Sequence, residues 1–381
     1  MKIALLRPLP DPARWSMDLY LQELMRSLGP LMKDGRLILF PSESDFASWQ
    51  TDLSRKNGKR RRYWQQYVEY GTRLRHLKAD LFHITDHGYA HLIPFLRNRK
   101  VIVTFHDALL PNLDEGRLPV RTRPAKAIWA QRYSLHCMRR AAGIIAVSEF
   151  SKKEFLKYCS VPDERVAVVH EGVSEIFYQK VSEEARLAFR KRWELGNKPV
   201  ILLTGRVDPH KNVEGALETV YQLRTQHHLE AMILKIGSLF SEGQRELIRQ
   251  FNLSSCVRET GSLPFSEIPL AYQASEVLLF LSWYEGFGFP ALEAMASGIP
   301  AIVSNRGSLP EVAGDGARVL DPANLDRVSE SVLEILTDGQ RRLDLIAKGK
   351  KRAAQFTWKQ TAAKTLEVYA HALEERHATI A

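Results

Sequence analysis

Along the 381 residues, short apolar runs rich in β-branched side chains alternate with stretches that carry a helical pattern. In the first half the runs are Ile3–Leu6, Leu37–Phe40, Leu81–Ile84, Val101–Phe105, Ile144–Val147 and Val166–Val169. The rhythm returns at Val200–Thr204, Met232–Ile236, Val277–Leu281 and Ile299–Val303. Continuous apolar runs of this kind fit strands buried on both faces, with the intervening helices as crossovers of parallel sheets. Two such sets predict two doubly wound α/β domains, in keeping with roughly 150 residues per domain. The boundary is expected between Val173 and Pro199, where the charged helical segment Ser182–Leu195 intervenes. The working division is 1–180 and 181–356. No internal repeat of solenoid period is present.

Composition narrows the class. With 45% hydrophobic and 26% charged residues the chain is neither disordered nor collagenous. Its apolar runs fall far short of the roughly 20 residues that span a bilayer, so no transmembrane helix is expected. The stretch Met1–Arg7 is too brief for a signal-peptide core. Cys137, Cys159 and Cys256 are odd in number and lack metal-ligand spacing, which points to a reduced, cytoplasmic setting.

The net charge of +10 is unevenly spread. Residues 1–172 hold 29 basic and 18 acidic side chains, residues 173–381 hold 25 and 26, so the surplus lies in the first half. Its densest stretch is Arg55-Lys56-Asn57-Gly58-Lys59-Arg60-Arg61-Arg62, followed at helical spacing by Tyr63, Tyr67, Tyr70, Leu74 and Leu77. Two readings of segment 55–78 stand: a solvated loop and a helix packed on its own domain, or a peripheral contact with an anionic membrane. Nucleic acid is not expected as a partner, because no nucleic-acid module accompanies the charge.

In open parallel sheets ligands bind beyond the carboxyl ends of the strands, so chemistry is sought there. After the run ending at Thr204 comes Gly205-Arg206-Val207-Asp208-Pro209-His210-Lys211-Asn212, then a helix near Val213. Arg206 and Lys211 thus stand at a strand end and a helix start, where a diphosphate would fit; two plain surface cations remain the alternative. Downstream, Glu285-Gly286-Phe287-Gly288-Phe289-Pro290 leads into a short helix bracketed by Pro290 and Gly298, with Glu293 one turn inside. The glycines let backbone N–H groups approach a ligand closely, and two carboxylates suit the vicinal hydroxyls of sugars. His106-Asp107 follows Val101–Phe105, where the His could meet a hydroxyl or phosphate, or the pair could cap a helix beside a packed ring. For Ser148 and Glu149 capping is the expected role.

Taken together these motifs resemble the retaining nucleotide-sugar glycosyltransferases of family 4, which have the GT-B fold. The resemblance rests on Glu285 to Pro290 with Glu293, on Gly205-Arg206 and on Lys211-Asn212. Val103-Thr104-Phe105-His106-Asp107, Val147-Ser148-Glu149-Phe150-Ser151, Ser308-Leu309-Pro310-Glu311-Val312 and Phe356-Thr357-Trp358 extend it from about Ile84 to Tyr369. It implies two Rossmann-like domains facing a central cleft, with residues 357–381 crossing back to the first. It also implies that Arg206 and Lys211 neutralise the diphosphate of a UDP- or GDP-sugar and that Glu293 holds the ribose. Glu285 with the backbone of Gly286, Phe287, Gly288 and Phe289 would hold the transferred hexose, with His106 touching it from the first domain. The base would lie near Gly237–Leu239 and Gly261–Leu263, which places Gly237 and Leu263 in the donor site. The acceptor would be a saccharide, lipid-linked and bound for a surface polysaccharide.

No Asp-x-Asp triplet occurs, so no metal and no cofactor are expected, and the cations alone would stabilise the leaving group. The chain departs from the family at Arg7–Ser16, proline-rich where a glycine-rich loop is usual, leaving the acceptor open. It departs again at Glu171 and Ser174, where Asn and Asp are common; that change is expected to alter the hinge more than the chemistry. A non-hydrolysing nucleotide-sugar epimerase of the same fold, and a non-catalytic basic scaffold binding membrane or nucleic acid, are the competing readings.

Overall fold

The structure is a computed structural model that describes residues 1–9, 15–32, 35–45, 58–118 and 125–374. The chain divides into two compact units: Met1–Glu115, Thr122–Gly172 and Trp358–Ala381 form the first, and the second is chiefly Val173–Thr357. The first thus ends at Gly172 and not at residue 180. The reason is local packing, since Phe177 meets Tyr272 and Phe265 of the second unit edge-on, at 5.6 and 5.9 Å.

The first unit carries a six-stranded sheet of β1 (Lys2–Leu6), β2 (Arg36–Phe40), β3 (Leu81–Ile84), β4 (Lys100–Phe105), β5 (Gly143–Ala146) and β6 (Val166–Val168), in the order β2-β1-β3-β4-β5-β6. The second carries β7 (Val200–Gly205), β8 (Met232–Gly237), β9 (Val257–Gly261), β10 (Val277–Phe280), β11 (Ala301–Ser304) and β12 (Arg318–Leu320), in the order β12-β11-β10-β7-β8-β9. Every pairing is parallel. β9 and β12 have no counterpart among the apolar runs. Both lie at sheet edges and are half-exposed along their length, so polar side chains such as Arg258, Glu259 and Arg318 interrupt them. Strand β11 starts at Ala301, not Ile299, because Gly298 caps the preceding helix and the Ile299 N–H still bonds that helix's Ala294 carbonyl at 3.0 Å.

Strand order reverses in the second sheet between β7 and its neighbour β10, one running on to β8 and the other to β11. Chain segments leave the sheet there in opposite directions and open a crevice beyond the strand ends.

The last helix, Trp358–Glu374, is held to the first unit by buried polar contacts as well as apolar packing. Its Tyr369 hydroxyl bonds the His83 Nδ1 at 2.6 Å, and His83 Nε2 bonds the Thr104 hydroxyl at 2.7 Å, itself 2.9 Å from Tyr20 Oη. Complete burial pushes the His83 imidazole down to about 3, so the ring is neutral and both nitrogens bridge hydroxyls. Thr361 also donates to the His170 carbonyl at 2.8 Å.

The stripe after the basic run turns inward along its length. Tyr70 and Leu74 are core residues and Leu77 packs against that core, whereas Tyr63, Trp64 and Val68 are exposed. The single stripe therefore splits into a buried face and a short exposed aromatic face beside Arg60 and Arg61. Arg55, Lys56 and Asn57 lie outside the described residues.

Tyr369→Ala should lower the stability of the first unit by about 3–5 kcal/mol, as for other large-to-small core changes. Tyr369→Phe, which unpairs only the Nδ1 of His83, should cost about 1–3 kcal/mol. Urea unfolding followed by fluorescence checks both.

Candidate functional site

Lys211 and Glu285 meet at the crevice between β7 and β10. The Lys211 Nζ donates to Glu285 Oε1 at 2.7 Å, with the two side chains 20% and 11% exposed. Their positions are set by backbone on both sides. Asn212 adopts a left-handed conformation at φ 53°, which ends the Pro209–Lys211 turn and starts the helix Val213–Thr225. Its Nδ2 donates to the Leu281 carbonyl at 3.1 Å, tying the loop after β7 to the end of β10. The Trp283 N–H donates to the His210 carbonyl at 2.7 Å in the same seam.

The glycine turn is built around Glu285. Ser308 donates to its carbonyl through N–H and Oγ, each at 3.1 Å, and also reaches the Phe287 carbonyl at 2.7 Å. Gly288 has φ 106° and begins the helix Phe289–Ser297, a conformation that side chains rarely adopt. Phe287 is buried and packs edge-on against Phe289 and Phe356, while Gly286 and Phe289 are half-buried. Pro290 occupies the first turn and Gly298 closes the helix at φ 74°, as the spacing predicts.

Glu293 lies inside that helix and is 7% exposed. Burial raises its carboxyl to about 7, partly offset by the Tyr272 hydroxyl, which donates to Oε2 at 2.6 Å. Tyr272 is fully buried. No sequence motif marks it, because a lone Tyr in a short apolar helix reads as core.

Arg206 follows β7 directly and is 52% exposed; its guanidinium grips Asp208 at 2.5 and 3.2 Å. Burial works to raise the Asp208 carboxyl, but Arg206 outweighs it and holds the group below its usual range. Gly237 ends β8 at φ 98°, and a Cβ there would fall 2.6 Å from the Gly205 carbonyl oxygen. Leu263 is half-buried just beyond β9. Arg206, Lys211, Gly237, Leu263 and the Glu285–Glu293 segment therefore all follow the carboxyl ends of second-unit strands.

His106 belongs to the first unit, following β4, and is 5% exposed. Its Nε2 donates to the Thr85 carbonyl at 2.9 Å and its Nδ1 stands 3.3 Å from Glu171 Oε1. Burial opposes charge on the ring, yet the Glu171 carboxylate outweighs it and lifts His106 above the ordinary imidazole range. Glu171 thus bears on His106 itself and not on the hinge alone. Asp107 caps the following helix by accepting from Leu109 N at 2.9 Å, and Ser148 caps Glu149–Tyr158 by accepting from Ser151 N at 2.9 Å. Among the described residues, no cluster of three or more His, Cys, Asp or Glu is placed to hold a metal ion, and no helix is long and apolar enough to cross a membrane.

Residues 34–175 match the family described as Glycosyltransferase Family 4, and residues 186–352 match Glycosyl transferases group 1. The chain is 29% identical over 286 residues to the O-antigen chain mannosyltransferase B of Escherichia coli, covering 74% of this chain and 73% of that protein. It is 29% identical over 190 residues to the GDP-mannose-dependent alpha-(1-6)-phosphatidylinositol monomannoside mannosyltransferase of Mycobacterium tuberculosis, covering 47% of this chain and 49% of that one. In fold it is similar to Anabaena HepE, solved in complex with UDP-glucose, with TM-score 0.76 at 19% identity over 97% of this chain and 99% of the other. Two family matches that between them take in both units, on paired parallel sheets of this topology, mean that the chain belongs to the family 4 glycosyltransferases and has the GT-B fold.

Proposed function

We propose that this glycosyltransferase moves mannose from GDP-mannose to a saccharide or glycolipid acceptor, with retention of configuration and without a metal. The observation that carries the reading is the Lys211–Glu285 pair at the β7/β10 crevice, set beside the Gly288 turn. The sugar and base are favoured by the mannosyl and GDP-mannose activities named for the two relatives.

In this reading Arg206 and Lys211 take the donor diphosphate, and Glu293 accepts hydrogen bonds from the ribose hydroxyls. Gly237 and Leu263 border the base. Glu285 and the N–H groups from Gly286 to Phe289 hold the hexose, to which His106 is also assigned by family resemblance. Lys211 then links the phosphate to the Glu285 that grips the sugar, so charge developing on the leaving group meets a cation already in place. The C1–O bond to phosphate breaks, a C1–O bond to the acceptor forms on the same face, and the acceptor proton passes to the departing phosphate oxygen. No protein nucleophile is required.

Lys211→Ala should lower kcat/KM with GDP-mannose by about 100-fold or more, the scale of losing one preorganised charge on a leaving group. The assay is run in EDTA with and without acceptor. Release of GDP that depends on acceptor identifies a transferase, whereas an epimerase would turn over without one. Full activity of Lys211→Ala would overturn the assignment.

Glu293 supplies a pH signature. Its raised carboxyl is ionised above about 7 and protonated below. Only the carboxylate accepts from both ribose hydroxyls, so GDP-mannose affinity should fall as the pH drops from 8 to 6. Glu293→Gln should bind weakly at both values with a flatter profile; calorimetry reads the difference.

A peripheral membrane contact through segment 55–78 is part of the same reading. It is supported by the exposed Tyr63, Trp64 and Val68 beside Arg60 and Arg61. At about 1 kcal/mol per basic side chain near an anionic surface, reversing Arg55, Lys56, Lys59, Arg60, Arg61 and Arg62 should abolish cosedimentation with anionic vesicles. Donor affinity should not change.

A further inference from the structure

Lys235 of the second unit is a buried charged side chain that the assigned roles leave unexplained. It lies on β8, 1% exposed, between Leu203 of β7 and Glu259 of β9 in register. Its Nζ donates to the Gly205 carbonyl at 2.6 Å and the Ile236 carbonyl at 2.9 Å. An ammonium has three donors, and these two bonds use two of them. Among the described residues no carboxylate forms an ion pair with it. Glu259 across the register is committed to Arg245 at 2.7 and 3.2 Å and to the Phe240 N–H at 2.6 Å.

A buried ammonium without a direct counter-ion is costly, and an apolar residue would suit the strand interior better. Its two acceptors show what it does. The Gly205 carbonyl receives Lys235 Nζ and also Ser238 N–H at 3.1 Å, and Gly237 approaches this same carbonyl. One carbonyl therefore joins the ends of β7 and β8, and the residue that follows it is Arg206.

We propose that Lys235 is a positioning residue of the donor site, fixing the Gly205-Arg206 and Gly237-Ser238 turns through the Gly205 and Ile236 carbonyls, and that its missing counter-ion is the diphosphate of the bound donor. The proposal rests on the donor site assigned above. Lys235 sets where Arg206 and the Gly237 backbone meet the ligand and adds a buried positive charge beneath them, while Arg206 and Lys211 make the direct contacts.

The charge state follows from the surroundings. Burial lowers the ammonium to about 8; Glu259 on β9 works to raise it, and Lys211 in the loop after β7 works to lower it further. Glu259 is itself paired with Arg245, Lys211 with Glu285, and Arg206, which follows Gly205, with Asp208. An anion bound above Lys235 favours its charged form, so donor binding should weaken as the pH rises through about 8. Because the folded state resists charging this side chain, removing it should not destabilise the protein, in contrast to the loss of a purely structural contact.

The test titrates GDP-mannose, GDP and GMP into the wild type, Lys235→Met and Lys235→Arg at pH 7 and pH 9, with melting temperatures measured alongside. Lys235→Met should melt no lower than the wild type and bind GDP and GDP-mannose at least tenfold more weakly at pH 7, with a smaller loss for GMP. The wild type should lose more affinity between pH 7 and 9 than Lys235→Met does; the nucleotide's own ionisation is common to both. Lys235→Arg should retain part of the pH 7 affinity and lose the extra pH dependence. Unchanged GDP affinity and pH profile in Lys235→Met would overturn the proposal. So would a lowered melting temperature with equal losses for GDP and GMP, which marks a structural role only. A wild type that binds none of the three nucleotides would instead overturn the GDP-mannose reading on which Lys235's role is argued.

Discussion

The ion pair between Lys211 and Glu285 exists because the second sheet reverses its strand order between β7 and β10. Each residue comes from the loop after a different strand, and only side-by-side pairing of those strands brings the two loops together. Both side chains are largely removed from water, so neither can lose its partner cheaply. The left-handed Asn212, the Gly288 turn and the Ser308 bonds all serve to hold these two charges. In the proposed function a bound donor adds an anion to a pair that is already oriented, which is the electrostatic preorganisation that phosphate departure requires.

Burial of ionisable groups recurs in both units and has one physical pattern. Glu293 keeps its proton up to about 7 beside Tyr272, Lys235 gives up its proton near 8, and Glu171 lifts the buried His106 imidazole above its ordinary value. His83 is the contrast, a buried ring with hydroxyl partners only, neutral and structural. Burial disfavours the charged form in all four, and only at His106, beside the Glu171 carboxylate, is that effect outweighed. The first unit uses such groups to dock its last helix, the second to surround the crevice.

Much of the architecture was legible in the chain itself because parallel strands buried on both faces leave continuous apolar runs. The runs from Ile3 to Val303 mark all six strands of the first sheet and the four interior strands of the second, and Pro290 with Gly298 marks the helix of the glycine turn. The edge strands β9 and β12 escaped that pattern because they are half-buried along their length and polar residues such as Arg258, Glu259 and Arg318 interrupt them. The basic run misled in part, since helical spacing cannot tell which aromatic turns inward; Tyr70 is core and Tyr63 is not.

By itself the sequence determined the two-unit α/β class, most of the strands, the excess of positive charge in the first half, and the placing of Arg206, Lys211, Glu285 and Glu293 after strand ends of the second sheet. These depend on local composition and spacing, which survive in one dimension. Only the tertiary structure decided that Lys211 pairs with Glu285, that Tyr272 bonds Glu293, that Glu171 faces His106, and that Lys235 joins two strand ends. Each of those contacts links residues through strand order, register or burial, and a group's charge in the folded protein depends on neighbours brought to it by pairing that no local pattern encodes.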